Sequence, residues 1–267
     1  MRNKIIISFL IVSSILLNSC SFNNNDIQHV EAEIIEEYPL INRSFVQGLE
    51  YDNDNDSLLL SNGKYGDSEL IRFKPGYQEI SQKIDLDDKY FGEGLTVVND
   101  KIYQLTWKEN IVFVYDKNTF TKLDSHHLES EGWGICYHKN NLIVSDGSDK
   151  LQFFDNNDFD KVKEDLPVTY NGEKLEGLNE LECVGDKIYT NVLGDNNIYR
   201  INSATGEVDL VVNTNKIDKS TYSDPNDVLN GIARVPESDD LIVTGKNWHS
   251  LYLSLIHISE PTRLGMI

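Results

Sequence analysis

The stretch FGEGLTVVNDKIYQLTW, residues 91–107, decides the fold, because versions of it recur along the chain. Its glycine pair removes side-chain bulk on both sides of Glu93 and lets the backbone turn sharply there. The residues that follow, VVNDKIYQLTW, are typical of two short β-strands joined at an Asn-Asp turn. The stretch therefore predicts a glutamate at the start of a β-hairpin.

Five segments share this pattern, and each begins two positions before a leucine or isoleucine. The segments are QGLEYDNDNDSLLLSNG from Gln47, EGLTVVNDKIYQLTWK from Glu93, WGICYHKNNLIVSDG from Trp133, NELECVGDKIYTNVLG from Asn179 and NGIARVPESDDLIVTGK from Asn230. They begin 46, 40, 46 and 51 residues apart. Short strands repeated with such a period are typical of a propeller. We predict an all-β fold, a five-bladed β-propeller; a β-sandwich would not produce a period.

The first residues of the five segments are predicted to meet at one end of a central channel. The innermost strand of each propeller blade runs along that channel, so equivalent positions converge on the axis. A Gln, a Glu, a Trp and two Asn are not the residues that fill a core. They could instead be turn residues that satisfy backbone groups, which suits the two asparagines but not Glu93 or Trp133.

Tryptophan and lysine residues extend this predicted cluster. Trp107, Trp133 and Trp248 each lie at an end of an inner-strand segment, and Lys246 follows the fifth one. Tryptophan is usually a packing residue. Two indoles beside one glutamate near the axis nevertheless predict a stacking wall around a ligand. Lysine is normally solvated, but Lys246 would offer a positive charge at the channel mouth.

Charge and composition limit the partners of the chain. It has 44 acidic and 24 basic residues, a formal net charge of −20. This field repels phosphate backbones and excludes nucleic acid as a partner; it suits a cationic ligand or serves solubility alone. The six histidines show no metal-ligand spacing. The sequence DNDND, residues 52–56, could hold a structural calcium ion, but we interpret it as a solvated turn.

The N-terminal region has the features of a bacterial lipoprotein signal. Arg2 and Lys4 precede an apolar run that ends in Leu-Asn-Ser-Cys at Cys20. We predict a signal peptide over residues 1–19, lipidation of Cys20 and a polar tether over residues 20–30. The protein would then be exported and held at the bacterial cell envelope by its lipid alone. The alternative is an ordinary signal peptide with an incidental cysteine.

Two cysteines remain in the exported part of the chain. Cys136 and Cys183 both lie inside apolar strand patterns. They could form one disulfide, but a secreted chain of this length does not need one. We predict buried free thiols.

The C-terminal tail departs from the repeated pattern. From Leu253 the chain reads LSLIHISEPTR, which resembles a translated sequencing-adapter read-through. We therefore predict a propeller domain over residues 31–252 and a foreign tail over residues 253–267, the natural chain continuing past Tyr252 with another strand. The alternative is a genuine apolar closing strand.

Several segments resemble the glutaminyl cyclases of the plant and bacterial type, the glutaminyl-peptide cyclotransferases. The resemblance covers the chain from about residue 30 to Trp248, and all five repeats carry it. The matching segments are FVQGLEY, FGEGLTVVNDKIYQLTWK, FVYDKNTF, EGWGICY, LNELECVGDKIYTNV and LNGIA with VTGKNW. The resemblance implies a five-bladed propeller that converts N-terminal glutaminyl residues of peptides or proteins to pyroglutamate and releases ammonia.

The resemblance also implies the site. Glu93 matches the catalytic glutamate of the family, and six other residues match positions that line its pocket: Phe45, Gln47, Trp107, Trp133, Asn179 and Lys246. The chain departs at Leu193, where the family usually has a tryptophan, so the resemblance implies a pocket that lacks one aromatic wall. No metal or other cofactor is required, and we predict a monomer.

The residue types suit the implied reaction. One carboxylate between the two reacting nitrogens can take a proton from the attacking amine and then give it to the departing ammonia. Tryptophans around Glu93 would raise its pKa, and Trp107 and Trp133 would hold the glutaminyl chain folded. Donors to the oxyanion could be Lys246, Asn179 or Gln47. The alternatives are a non-catalytic surface propeller that binds a peptide or glycan, and a hydrolase with axial calcium ligands.

Overall fold

The computed structural model describes residues 27–41, 44–77, 79–217, 224–236, 238 and 240–255. Within these ranges the regular structure consists entirely of β-strands, which we number β1 to β23 in chain order. The described residues form five sheets of four or five strands and one short hairpin. The predicted all-β, five-bladed β-propeller is confirmed.

The first three blades are each built from four consecutive antiparallel strands. Blade one contains β3 (Val46–Asp52), β4 (Ser57–Asn62), β5 (Glu69–Phe73) and β6 (Ile80–Asp85). Blade two contains β7 (Gly92–Val98), β8 (Lys101–Thr106), β9 (Ile111–Asp116) and β10 (Lys122–His127). Blade three contains β11 (Ile135–His138), β12 (Asn141–Ser145), β13 (Lys150–Asp155) and β14 (Leu166–Pro167). The Asn-Asp turn predicted in the opening stretch joins β7 to β8.

The last two blades each take one strand from the start of the described chain. Blade four contains β17 (Leu178–Val184), β18 (Lys187–Val192), β19 (Asn197–Asn202), β20 (Val208–Asn213) and, parallel to β20, β1 (Gln28–Glu31). Blade five contains β21 (Leu229–Arg234), β22 (Leu241–Gly245), β23 (Ser250–Leu255) and the outer strand β2 (Glu33–Pro39). A short hairpin, β15 (Thr169–Tyr170) and β16 (Glu173–Lys174), precedes blade four.

Apolar side chains fill the spaces between neighbouring blades. Five hydrophobic clusters are present, one for each blade-to-blade contact. The cluster between blades two and three, for example, packs Tyr103 and Leu105 of β8 against Ile135 of β11. The apolar side chains on the faces of each sheet pack into these clusters. The unpaired edge of each innermost strand therefore lines the channel.

The inner strands approach one another closely around the axis. A Cβ atom on Gly134 would lie 2.1 Å from the backbone oxygen of Asn179, so only glycine fits there. The equivalent residue of blade four is Glu180, whose carboxylate reaches two other blades. It accepts hydrogen bonds from the backbone N–H groups of Leu49 at 3.3 Å and Ile232 at 3.0 Å. This carboxylate ties blade four to blades one and five.

The prediction of two free thiols is wrong. Cys136 of β11 and Cys183 of β17 form a disulfide, with their Cα atoms 5.5 Å apart. This separation lies in the range that a disulfide requires. The repeat predicts that the two inner strands are neighbours, but it does not reveal that these two positions face each other across the blade boundary.

Several predictions concern residues at the chain ends. The signal peptide over residues 1–19, Cys20 and most of the tether lie outside the described residues, but residues 28–30 of the predicted tether belong to β1. At the other end, β23 continues beyond Tyr252, and its Leu253 pairs with Glu36 and Ile242. Tail residues 256–267 lie outside the described part. Within the described part, no helix is long and apolar enough to cross a membrane.

Candidate active site

A cavity of about 400 Å³ opens where the inner strands begin. This volume is in the usual range for small-molecule sites. The seven site residues predicted from the sequence all line it: Phe45, Gln47, Glu93, Trp107, Trp133, Asn179 and Lys246. The described structure therefore brings together residues from all five blades in one pocket.

Glu93, the second residue of β7, is only 4% exposed. Its Oε1 accepts a hydrogen bond from Nε2 of Gln47 at 3.0 Å. Burial raises the pKa of Glu93 well above its ordinary value. The positive charge of Lys246 opposes this rise, whereas the negative charges of Glu131 and Glu109 add to it. The site thus holds a carboxyl group that keeps its proton to a higher pH than an exposed glutamate does.

Asn230 fixes the orientation of Gln47 from behind the pocket. The Asn230 side-chain amide donates to Oε1 of Gln47 at 3.1 Å and to the carbonyl oxygen of Val46 at 2.9 Å. Since the Gln47 oxygen is used as an acceptor, its NH₂ group is the end that reaches Glu93. Asn230 is fully buried. It was one of the five converging positions, and it supports the pocket rather than lining it.

Lys246 brings a cation into the same pocket. It is 8% exposed and directly follows β22, where its backbone N–H donates to Val228 at 2.8 Å. Its Nζ lies 5.1 Å from the centroid of the Phe45 ring, within cation–π range. Burial lowers the pKa of Lys246, and the nearby Glu93 opposes that shift. The Lys246 amine, a donor, and the Glu93 carboxyl, an acceptor, therefore line the same cavity.

Aromatic rings form the wall around Glu93. The Trp107 and Phe91 rings pack edge to face with centroids 5.5 Å apart, and Phe91 contacts Phe45 in the same way at 6.2 Å. Trp133 packs over the backbone of Gly147, where an added Cβ would lie 2.6 Å from the indole ring. Gly147 also has a φ of +81°, which L residues with side chains rarely adopt. The position of the Trp133 ring therefore depends on this glycine.

The third tryptophan does not belong to the site. Trp248 is fully buried in the cluster between blades four and five. Its indole N–H donates to the backbone oxygen of Asp227 at 3.1 Å, and its ring packs against Tyr252. Trp107 directly follows β8, whereas Trp248 comes three residues after the end of β22 and packs into the hydrophobic cluster.

Sequence reasoning did not assign every lining residue. Phe91 could have been found, because it precedes Glu93 by two positions just as Phe45 precedes Gln47. Leu193, already noted as a departure from the family, lines the cavity and is 46% exposed. The remaining lining residues, for which no repeat or motif gave a signal, are Gly194, Pro225, Asn226 and Val228.

The acidic turn over residues 52–56 uses its carboxylates in ion pairs. Asp52 is bound by Arg72 at 2.8 Å and by Lys117 at 3.4 Å, and Lys117 also pairs with Asp54. Within the described ranges, no group of three or more His, Cys, Asp or Glu residues is arranged to hold a metal ion. The interpretation of residues 52–56 as a solvated turn rather than a calcium site stays a prediction.

Comparison with known proteins gives one consistent relationship. The sequence model of the glutamine cyclotransferase family matches residues 7–256. A glutaminyl-peptide cyclotransferase from Arabidopsis thaliana is 35% identical over 229 residues, which cover 83% of this chain and 70% of the relative. The crystal structure of Myxococcus xanthus glutaminyl cyclase superposes with a TM-score of 0.81 and 30% identity, over 86% of this chain and 98% of that one. The chain belongs to the glutamine cyclotransferase family.

Proposed function

We propose that the protein is a glutaminyl-peptide cyclotransferase, which converts N-terminal glutaminyl residues of peptides or proteins to pyroglutamate and releases ammonia. Family membership and fold support this activity. The observation that carries it in the chain itself is the buried carboxyl of Glu93, with a raised pKa, in an aromatic-walled cavity of about 400 Å³. A cavity of this size accommodates one folded glutaminyl residue.

Glu93 carries the proton in the proposed mechanism. The nitrogen of the neutral substrate α-amine attacks the side-chain amide carbon, and the Glu93 carboxylate takes one proton from that nitrogen. A C–N bond forms, and the amide oxygen becomes an oxyanion. Glu93 next gives the proton to the amide nitrogen, the oxyanion re-forms the carbonyl, the original C–N bond breaks and ammonia leaves. One group can serve in both steps because burial raises its pKa, which makes the carboxylate a stronger base toward the amine.

Neighbouring residues are assigned to the other tasks. Because Gln47 donates to Oε1 of Glu93, it orients the base, and it is not the first choice as an oxyanion donor. That role is better suited to Lys246 and Asn179, which line the same cavity. Trp107 and Trp133 hold the glutaminyl chain folded, and the ring closure gains from this because it is intramolecular.

The activity is tested by incubating the purified protein with a peptide that begins with glutamine. We expect stoichiometric ammonia release and a matching mass loss in the peptide. The same peptide with an acetylated N-terminus is the control, since its amine cannot attack. A protein that binds the free peptide but releases no ammonia would instead be the non-catalytic propeller considered from the sequence.

We further propose that the protein is exported and anchored to the cell envelope through lipid on Cys20, and that it acts as a monomer on exported peptides. The support is the N-terminal sequence, with its basic start, apolar run and cysteine. Metabolic labelling with a fatty acid should mark the parent chain and leave a Cys20→Ala variant unlabelled. Equal labelling of both chains would refute the anchor.

A further inference from the structure

One carboxylate oxygen connects the two indoles of the pocket. Oε2 of Glu131 accepts a hydrogen bond from Nε1 of Trp107 at 2.8 Å and a second from Nε1 of Trp133 at 3.0 Å. Trp107 follows the β8 strand of blade two, whereas Trp133 precedes the β11 strand of blade three. Glu131 therefore joins side chains of two different blades, and its half-buried carboxylate lies behind the wall that they form.

The other contacts of these two indoles involve their rings, whereas their N–H groups bind Glu131. Trp107 is packed by the edge of Phe91 and by Nζ of Lys108, which lies 3.9 Å from its ring centroid. Trp133 is packed on the backbone of Gly147. Ring contacts restrict how far an indole tilts, but an N–H donor fixes its rotation within the ring plane. The indole nitrogen is a donor only, so a single good acceptor determines that orientation.

We propose that Glu131 is a positioning residue of the active site: its carboxylate oxygen fixes Trp107 and Trp133 as one preformed wall, against which the glutaminyl side chain folds for cyclisation. This role rests on the proposed function. Neither the repeat nor the family motif assigned any task to Glu131, which lies inside the segment EGWGICY. The position of the acceptor, rather than its charge alone, gives Glu131 this role.

Two conservative substitutions separate acceptor position from charge. Glu131→Gln keeps a carbonyl oxygen at the same reach, and that oxygen accepts two hydrogen bonds, but the charge is lost. Glu131→Asp keeps the charge but withdraws the oxygen from both indoles by one methylene. Glu129→Asp is the matched control, because Glu129 lies exposed in the same loop and does not line the cavity.

Kinetics on a glutamine-initiated peptide give the main readout. For Glu131→Asp we expect kcat/KM to fall about 10²-fold, the loss typical of a misplacement near 1 Å. For Glu131→Gln we expect kcat/KM within about tenfold of the parent, since a neutral acceptor is about half as strong as a charged one. The control should match the parent. The proposal is overturned if the Asp variant retains the parental kcat/KM, or if it is more active than the Gln variant.

Near-ultraviolet circular dichroism gives a second readout that does not need turnover. The chain has three tryptophans, and the third, Trp248, is buried in the core. The proposal is supported if the indole bands change in Glu131→Asp but not in Glu131→Gln or in the control. Unchanged bands in Glu131→Asp refute it. If the parent proved inactive, the proposed function would fail, while these spectra would still decide whether Glu131 holds the two rings.

Discussion

Besides Glu93, three glutamates of the inner strands β3 and β17 have carboxyl groups whose pKa is raised by burial. Burial raises the pKa of Glu180 and of Glu182 well above the ordinary value. Desolvation also raises the pKa of Glu50 to about 7, although a hydrogen bond from the Thr96 hydroxyl at 2.9 Å opposes this rise. Groups of this kind make folding depend on pH, because the folded chain holds protons that the unfolded chain has already released.

The first prediction concerns Glu50→Gln. Between its ordinary pKa of 4.5 and its folded pKa of about 7, the Glu50 carboxyl binds more protons in the folded chain than in the unfolded chain. The free energy of unfolding therefore falls as the pH rises through this interval and levels off above it. Glutamine does not ionise. We expect the stability of Glu50→Gln relative to the parent to rise with pH, by at most about 1.4 kcal/mol per pH unit.

Urea unfolding of both proteins at several pH values between about 4 and 8 measures this difference. Glu129→Gln, an exposed change, serves as the control and should give a curve parallel to that of the parent. A constant difference between Glu50→Gln and the parent across the whole range would show that Glu50 does not titrate differently on folding.

Among the strands and turns, the inner hairpins were predictable and the long-range pairings were not. The β7–β8 hairpin follows from its alternating residues and its turn, in which Asn99 has a φ of +54°. By contrast, β1 and β2 pair with strands about 180 or more residues away in sequence. No local pattern encodes such partners. The disulfide escaped prediction for the same reason, since its cysteines are 47 residues apart and belong to different blades.

The disulfide gives the second prediction. Replacing Cys136 and Cys183 together with alanine should lower the free energy of unfolding by about 2–4 kcal/mol, because the unfolded chain loses the loop constraint. Neither cysteine lines the cavity, so kcat/KM should remain at the parental value. Urea unfolding with and without a reducing agent makes the measurement. If reduction left the unfolding midpoint of the parent unchanged, the bond would contribute nothing to its stability.

For the whole molecule, ring closure depends on the N-terminal strands. β2 supplies the outer strand of blade five, where Glu37 pairs with Tyr252 and accepts a hydrogen bond from Ser250 at 2.5 Å. β1 adds a fifth strand to blade four, with Gln28 paired to Leu210. A propeller whose first and last segments share one sheet cannot open its ring without breaking that sheet.

The third prediction follows from this closure. Deleting residues 27–40 removes β1 and β2, which leaves the edge of β23 without its partner. We expect a lower urea midpoint and concentration-dependent association, because an unpaired strand edge pairs with other chains. Deleting residues 1–26, which retains both strands, is the matched control and should be monomeric and stable. Size-exclusion chromatography that showed both truncated chains as equally monomeric would contradict this account of closure.

The site as a whole was largely predictable, because the repeat and the family resemblance both identify residues at the ends of the inner strands that build it. Glu93 and Lys246 come from such positions, and both line the cavity. Glu131 was not predictable. Its role depends on hydrogen bonds from two indole N–H groups of separate blades to one oxygen. No pattern in the sequence indicates that these groups converge. Asn230 is an intermediate case, since the repeat identified its position but not its contact with Gln47.

The most direct test of the account is ammonia release from a glutamine-initiated peptide by Glu93→Gln. This variant keeps an acceptor for Gln47 but cannot exchange a proton. We predict that kcat falls by about 10²–10⁴-fold, while the urea midpoint and peptide binding stay close to those of the parent. Release of ammonia by Glu93→Gln at the parental rate would contradict the assignment of Glu93 as the group that carries the proton.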